Sequence, residues 1–498
     1  MTDACDLPAS EARRLIGLRR LAPVELLESC LARIARINHA VNAVVALDEA
    51  RARAAARAAE AAVMQGDPLP PLHGLPLGIK DLEETAGLVT TFGSPLFADH
   101  VPAKDQGMVA RLKAAGGIVL AKTNTPEFGA GANTRNVVYG ATGNPFDPTR
   151  SAAGSSGGSA VALATGMLPL ASGSDMGGSL RNPAAFCGVV GFRPSPGVVP
   201  NERRGLGWSH LSTLGPMARS VADLALFLSA MAGDDADDPL AYTLPGVKVR
   251  EGLGAVLPRV DLAALRVAAT EDFGIAPVEA HIRRVFRNRV AALRPLFAEV
   301  VEASPDCRGT DEAFAVLRAV NFVAAHADTL RRFPDKVGPN VRGNVEAGLR
   351  LSLADVARAE AEQTRIYHAW QRFFADSGVR AILSPAITIS PRPWRELYPA
   401  EIDGRPTASY FHWLALAYAT TLVGHPSLVL PLGRDEAGFP FGVQIVGRRG
   451  ADAEVLAIGA AIESALAGDM ALGRPVPDLA RLAAAPPIAE SEGFRSWS

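Results

Sequence analysis

Apolar positions recur at helical spacing through the first sixty residues. Leu15, Leu18 and Leu21 fall on one helical face, and Leu26, Leu27, Leu31, Ile34 and Ile37 do so again after Pro23. Residues from Ser10 to about Val63 are therefore predicted to be helices. The Ala, Arg and Glu run from Glu49 to Val63 continues this, because its alanine content favours a solvated helix over a basic low-complexity tail. At His73 the period changes. Leu75, Leu77 and Ile79 alternate along one face of a short strand, which sends Lys80 to the other face. A helix from Gln106 to Ala115 is stopped by Gly116-Gly117, and Ile118-Val119-Leu120-Ala121 then reads as a buried strand. Between Thr142 and Gly191 the chain is dense in Gly and Ser, and a helix from Ser220 to Ala232 follows, closed by Gly233. Amphipathic helix dominates residues 275–375, as in Val278–Phe297 and Ala354–Phe374. Strand signals return at Ala381–Leu383, Ser427–Leu432 and Gly442–Val446, before a last helix at Ala453–Leu466.

Strands at both ends with helices between predict one large α/β domain, residues 1–482, whose middle is an excursion. Within it, 1–65 are N-terminal helices, 70–235 the core, 275–375 mostly helical and 380–470 the C-terminal strands and helices. Residues 483–498 read as a frayed tail. No repeat or Pro/Ser-rich linker divides the chain.

Composition narrows the function classes. With 48% apolar and 20% charged residues in 498, disorder is excluded for most of the chain. A net charge of −2 offers no field for nucleic acid or an anionic membrane. Cys5, Cys30, Cys187 and Cys307 form no C-x-x-C pair, and the nine histidines show no H-E-x-x-H; neither a metal nor another cofactor is expected. Scattered thiols fit a reducing cytoplasm, and Asp3, Asp6 and Glu11 stand where an export signal would need basic residues. The uncharged stretch Pro406–Gly433 is long enough to span a bilayer, but His412, His425, Pro426 and Pro431 interrupt it. It reads instead as a buried helix over Tyr410–Leu422 and a buried strand over Ser427–Leu432.

Two Gly/Ser clusters hold the candidate chemistry: Gly154-Ser155-Ser156-Gly157-Gly158-Ser159 and Gly173-Ser174-Asp175-Met176-Gly177-Gly178-Ser179. A phosphate cradle would need G-x-x-x-x-G-K-[ST] or G-x-G-x-x-G after a strand, and neither is present. Gly154–Gly158 formally fits the G-x-S-x-G elbow of an α/β-hydrolase esterase, with Ser156 as nucleophile and His412 or His425 as base. That motif needs a buried strand just upstream, where Asn144–Arg150 reads as a turn-rich loop. The bland reading, glycines permitting turns, suits either cluster alone better than both. A chemical reading links them. A serine hydroxyl needs a base, and a lysine serves if burial disfavours its ammonium form; Lys80 sits among apolar neighbours. The run Met176, Gly177, Gly178, Ser179 offers consecutive backbone N–H groups to an oxyanion.

With these residues the sequence resembles the amidase signature family, the Ser–cis-Ser–Lys amide hydrolases. The resemblance is carried by Gly74-Leu75-Pro76-Leu77-Gly78-Ile79-Lys80-Asp81, Lys122-Thr123-Asn124-Thr125-Pro126-Glu127-Phe128, Gly143-Asn144-Pro145, both Gly/Ser clusters, Pro183–Gly191 and Gly442–Gly447, all in order. It implies a central twisted mixed β-sheet with helices on both faces. It also implies Lys80 as catalytic lysine, Ser155 as the serine held by a cis peptide and Ser179 as the nucleophile, with Ser156, Asp175 and Arg181 in support. Two residues depart from the pattern: Ala153 stands where glycine is usual, and Met176 where a small residue, often threonine, is usual. Lys122 and Ser174 read as structural or network residues, and Cys187 as a core thiol.

Within the family, general and aryl amidases compete with the glutaminase component of a tRNA-dependent amidotransferase. That component usually carries a Ser-Leu-Asp-Gln-like run before Gly-Pro, and here Leu211-Ser212-Thr213-Leu214 precedes Gly215-Pro216. The segment Trp394–Tyr418 holds Trp394, Tyr398, Tyr410, Phe411, Trp413 and Tyr418, a density of rings expected to enclose an apolar or aryl acyl group or to fill the core. The expected partner is a small-molecule amide, with no nucleic acid and no membrane span. Whether the chain works alone or as a homodimer is left open.

Overall fold

The apolar runs assemble into one mixed sheet of eleven strands, flanked by helices, in a computed structural model that describes residues 3–241 and 257–497. From one edge the strands are Val44–Leu47, Ile118–Thr123, Pro76–Lys80, Leu170–Asp175, Thr213–Ala218, Val190–Arg193, Ser427–Arg434, Pro440–Val446, Ala381–Pro385, Arg266–Ala269 and Glu299–Glu302. Every residue of Pro76–Lys80, Thr213–Ala218 and Pro440–Val446 is buried. Strands covered on both faces lose the half-buried alternation, so Lys80 is as enclosed as Leu77 and Ile79 on the opposite face.

One arrangement positions the site. Pro76–Lys80 runs parallel to Leu170–Asp175, with Leu77 opposite Leu170 and Gly78 opposite Ala171. Parallel neighbours deliver their C-terminal ends to the same edge, so the end of one strand, Lys80, meets the loop that leaves the other. Between the two Gly/Ser clusters lies the helix Gly157–Ala164, buried on all sides. Its close fit requires glycine: a Cβ on Gly158 would lie 2.2 Å from the Asn124 amide nitrogen.

Three expectations are corrected. The N-terminal region is not purely helical, because Val44–Leu47 pairs antiparallel with Ile118–Thr123 between the helices Pro23–Val41 and Glu49–Gln65. The middle of the chain is not an excursion from the sheet. Arg266–Ala269 pairs in parallel with both Ala381–Pro385 and Glu299–Glu302, so the middle of the chain adds two strands to the sheet that the apolar pattern does not indicate, beside Val44–Leu47, Leu170–Asp175, Val190–Arg193 and Thr213–Ala218 elsewhere. The tail does not fray: Ile488 and Phe494 pack with Ala141 and Trp394, the Ala141 N–H donates to the Phe494 carbonyl at 3.1 Å, and Arg135 reaches the Ser496 carbonyl at 2.7 Å. The uncharged stretch folds as a 3₁₀ turn His412–Leu414, a helix Ala415–Leu422 and the strand Ser427–Arg434. Among the described residues no helix is long and apolar enough to cross a membrane.

Candidate active site

Lys80 is fully buried, and its Nζ donates to Ser155 Oγ at 2.7 Å and to Ser174 Oγ at 2.9 Å. Burial pulls its pKa down to about 8, against opposing pulls from Glu83 and Asp175. Ser155 follows Gly154 through a cis peptide bond. Just upstream, Ala153 holds φ +57°, the left-handed region that glycine enters without strain. This is the position where the sequence departs from glycine. Hydrogen bonds from Thr134 N and Oγ1 to the Ala153 carbonyl, and from Ala153 N to Ser151 Oγ, pin it there.

Ser155, Ser174 and Ser179 open on one cavity of about 280 Å³, whose wall also includes Met176 and Gly177. The loop carrying Ser179 is fastened from behind. Asp175 accepts from Gly178 N at 2.9 Å and Leu180 N at 3.1 Å, and is gripped by Arg181 Nε and Nη2 at 3.0 and 2.9 Å. Burial would raise the Asp175 pKa, but Arg181 and Arg193 hold it well below the usual carboxylate range. Arg181 in turn donates to the Ala417 carbonyl, Thr420 Oγ1, Thr421 Oγ1 and Gln444 Oε1, which ties the loop to the C-terminal helix and strand. Gly178 takes φ +114°, and a Cβ there would come 2.7 Å from that of Ala417. Of the four expected oxyanion donors, the Gly178 N–H is turned to Asp175. The amides of Met176, Gly177 and Ser179 make no hydrogen bond among the described residues.

Ser156 does not face the cavity. It is fully buried, and its Oγ lies 3.4 Å from both the carbonyl and the amide of Ser174. Neither histidine reaches it: His425 packs on Trp370 and Phe374, with Nδ1 2.7 Å from the Gly447 carbonyl, and His412 accepts from Ala408 N. Upstream stands only a small hairpin, Gly143–Asn144 with Asp147–Ser151. The elbow reading has no base and no supporting strand. Lys122 is held by the Glu83 carbonyl, Thr85 Oγ1 and Thr90 Oγ1, away from the cavity. Cys187 is buried, and burial raises its thiol pKa well above the ordinary value.

The structure divides the two readings left open for the ring-rich segment residue by residue. Of the six aromatic residues in Trp394–Tyr418, only Tyr410 lines the cavity. Trp394 packs under the C-terminal segment and Tyr418 stacks on Phe314. The cavity rings are Phe92, Phe128, Phe322 and His326, joined by Tyr410. His326 lies 4.6 Å from Phe128, and burial lowers its pKa to about 4, so at neutral pH it acts as an uncharged ring. Two further residues escaped the sequence reading. Glu83 is buried near Lys80, with its pKa raised to about 7 by desolvation and Oε1 without a partner. Arg318 lines the cavity from the long helix Thr310–Arg332.

Comparisons with known proteins bear on the family to which the chain belongs. The family model described as Amidase matches residues 25–456. An acylamidase of Rhodococcus erythropolis is 35% identical, covering 92% of this chain and 95% of that protein. A glutamyl-tRNA(Gln) amidotransferase subunit of Roseiflexus castenholzii is 33% identical, over 93% and 96% respectively. Among solved structures, a bacterial aryl acylamidase superposes with a TM-score of 0.84 at 27% identity, covering 92% of this chain and 96% of that one. The peptide amidase of Stenotrophomonas maltophilia gives 0.78 at 27%, over 95% and 99%. The chain belongs to the amidase signature family and is an amide hydrolase.

Proposed function

We propose that the protein hydrolyses a carboxylic acid amide to acid plus ammonia or amine through an acyl-enzyme on Ser179. The observation that carries this reading is the 2.7 Å contact of buried Lys80 with Ser155, in a cavity that Ser179 shares. Neutral Lys80 accepts the Ser155 proton while Ser155 accepts that of Ser179, and Ser179 Oγ attacks the carbonyl carbon. Amides at Met176, Gly177 and Ser179 stabilise the oxyanion. As the C–N bond breaks, the proton returns through Ser155 to the leaving nitrogen. Water then attacks the acyl ester by the same relay, releasing the acid and restoring Ser179. No cofactor enters these steps, and buried free thiols fit a cytoplasmic setting.

The ring lining favours apolar or aryl amides. At about 25 cal/mol per Å² of apolar area, burying a phenyl ring adds a few kcal/mol that acetamide lacks. The similarity to an amidotransferase component supports a second reading, glutamine hydrolysis. Against it stand the Leu211–Leu214 departure and a cavity whose wall, among the described residues, holds no Asp or Glu to pair with an α-ammonium. A hydrolysis screen over benzamides, anilides, acetamide and glutamine, with Ser179→Ala as control, tests the choice. Aryl amides are expected to lead in kcat/KM. A lead for glutamine moves the protein to the second reading.

A further inference from the structure

Among the described residues, three arginines and no carboxylate line the cavity. Two have counter-charges elsewhere: Arg203 pairs with Glu84, and Arg204 with Asp238. Arg318 has none among the described residues. It is 6% exposed, and its Nε has no hydrogen-bond partner. Its Nη1 reaches only the thioether of Met176, at 3.3 Å, and its Nη2 the hydroxyl of Tyr410. The guanidinium is boxed by rings, 4.6 Å from the Phe322 centroid and 5.3 Å from those of Tyr410 and Phe411.

Tyr410 completes the pattern. Its hydroxyl oxygen accepts from Arg318 and also from Asn344 Nδ2, at 2.9 Å. With the oxygen receiving two hydrogens, its own hydrogen is left to donate, and no acceptor for it exists among the described residues. A buried cation with only neutral partners and a hydroxyl hydrogen with no acceptor among the described residues thus stand together on the wall of the cavity that Ser179 also lines. Burying a charge without a counter-ion is unfavourable, and rings and a thioether offset that only in part. An incoming anion offsets the rest. The sequence departure at Met176 lies at the same spot, its Sδ against Arg318.

We infer that Arg318 and Tyr410 form a carboxylate subsite, so that the preferred substrate is a ring-bearing amide that also carries an acid group. The inference deepens the proposed amide hydrolysis and rests on it for the catalytic step. It also disfavours glutamine on its own terms: the α-carboxylate finds Arg318, but the α-ammonium finds three arginines and, among the described residues, no acid.

The test compares matched pairs in which a carboxylate replaces an alkyl group: 4-carbamoylbenzoate against 4-methylbenzamide, 4-carbamoylphenylacetate against 4-ethylbenzamide, and 4-acetamidobenzoate against 4-methylacetanilide. In at least one pair the acid is expected to lead in kcat/KM by roughly tenfold to a hundredfold, through KM, the range for a hydrogen bond to a charged group. Arg318→Met should bring that ratio close to one, and Arg318→Lys should restore part of it. Equal or better use of the neutral member in every pair, or a preference that survives Arg318→Met, overturns the inference. Should Arg318→Met fail to fold, Tyr410→Phe is expected to lower the ratio severalfold, and an unchanged ratio again overturns it. Titration calorimetry of 4-carbamoylbenzoate into Ser179→Ala separates the two claims. Arg318-dependent binding with no turnover of any amide by the wild type retains the subsite and removes the hydrolase reading. Turnover with no Arg318-dependent preference does the reverse.

Discussion

Two walls of the cavity are built on different physics. The wall formed by residues 153–181 is backbone: a cis peptide, positive-φ turns at Ala153 and Gly178, and a loop fastened by the hydrogen bonds of Gly178 N and Leu180 N to Asp175. The opposite wall is side chain: Phe322, Arg318 and His326 from one helix, with Phe92 and Phe128 from loops. Backbone held at positive φ tolerates few residue types. Side chains on a helix exchange without disturbing the backbone beneath them, so on the proposed reading the second wall sets substrate choice.

Removing the base of the first wall should have the largest effect. Lys80→Ala is expected to lower kcat by roughly three orders of magnitude or more, and Lys80→Arg should not restore it, because guanidinium stays protonated. Burial places the lysine below its ordinary 10.5, so the neutral form accumulates, and the rate rises, as pH passes through about 8. Glu83 opposes that depression. Glu83→Gln should therefore move the rising limb to lower pH, and a limb that moves upward or stays fixed contradicts the assignment of the limb to Lys80.

Next in size is Asp175→Asn. It leaves Arg181 and Arg193 buried without their carboxylate, a loss of about 3–5 kcal/mol for breaking a buried pair. Chemical denaturation checks it, and a change below about 1 kcal/mol would show that the loop is held by other contacts. On the second wall, Phe128→Ala should raise KM for benzamides by roughly tenfold, with little change for acetamide. Equal losses on both substrates would make Phe128 part of the scaffold. The smallest effect is expected at Ala153, where Ala153→Gly relieves the left-handed turn and gains up to about 1 kcal/mol of stability; a net destabilisation would contradict the strain argument.

The same division explains what the sequence revealed. Lys80, Ser155, Ser179, Asp175 and Arg181 stand in or beside glycine-rich motifs whose spacing is legible; Ser155 and Ser179 line one cavity, Lys80 hydrogen-bonds to Ser155, and Asp175 with Arg181 fastens the loop behind Ser179. The rings were not legible. Phe314, Arg318, Phe322 and His326 recur at four-residue spacing along one helix, a signal present in the sequence but indistinguishable from a core stripe without the neighbour it faces. Conversely, the dense rings of Trp394–Tyr418 look like a pocket and mostly fill the interior. Six strands escaped the apolar pattern: Val44–Leu47, Val190–Arg193, Arg266–Ala269 and Glu299–Glu302 are only four residues long, and Leu170–Asp175 and Thr213–Ala218 are interrupted by Gly, Ser or Pro, so a period of two does not declare itself. The C-terminal tail was misread for a related reason: Ile488 and Phe494 are isolated apolar residues in a polar run, and only the groove they enter shows their purpose.

The central claim is that the backbone wall presents Ser179, and no other serine, to the substrate carbonyl. Mass spectrometry of the protein after reaction with a fluorophosphonate tests it directly. The account predicts a single adduct on the Ser179 peptide, lost in Ser179→Ala; an adduct on Ser156, or labelling that persists in Ser179→Ala, would contradict it.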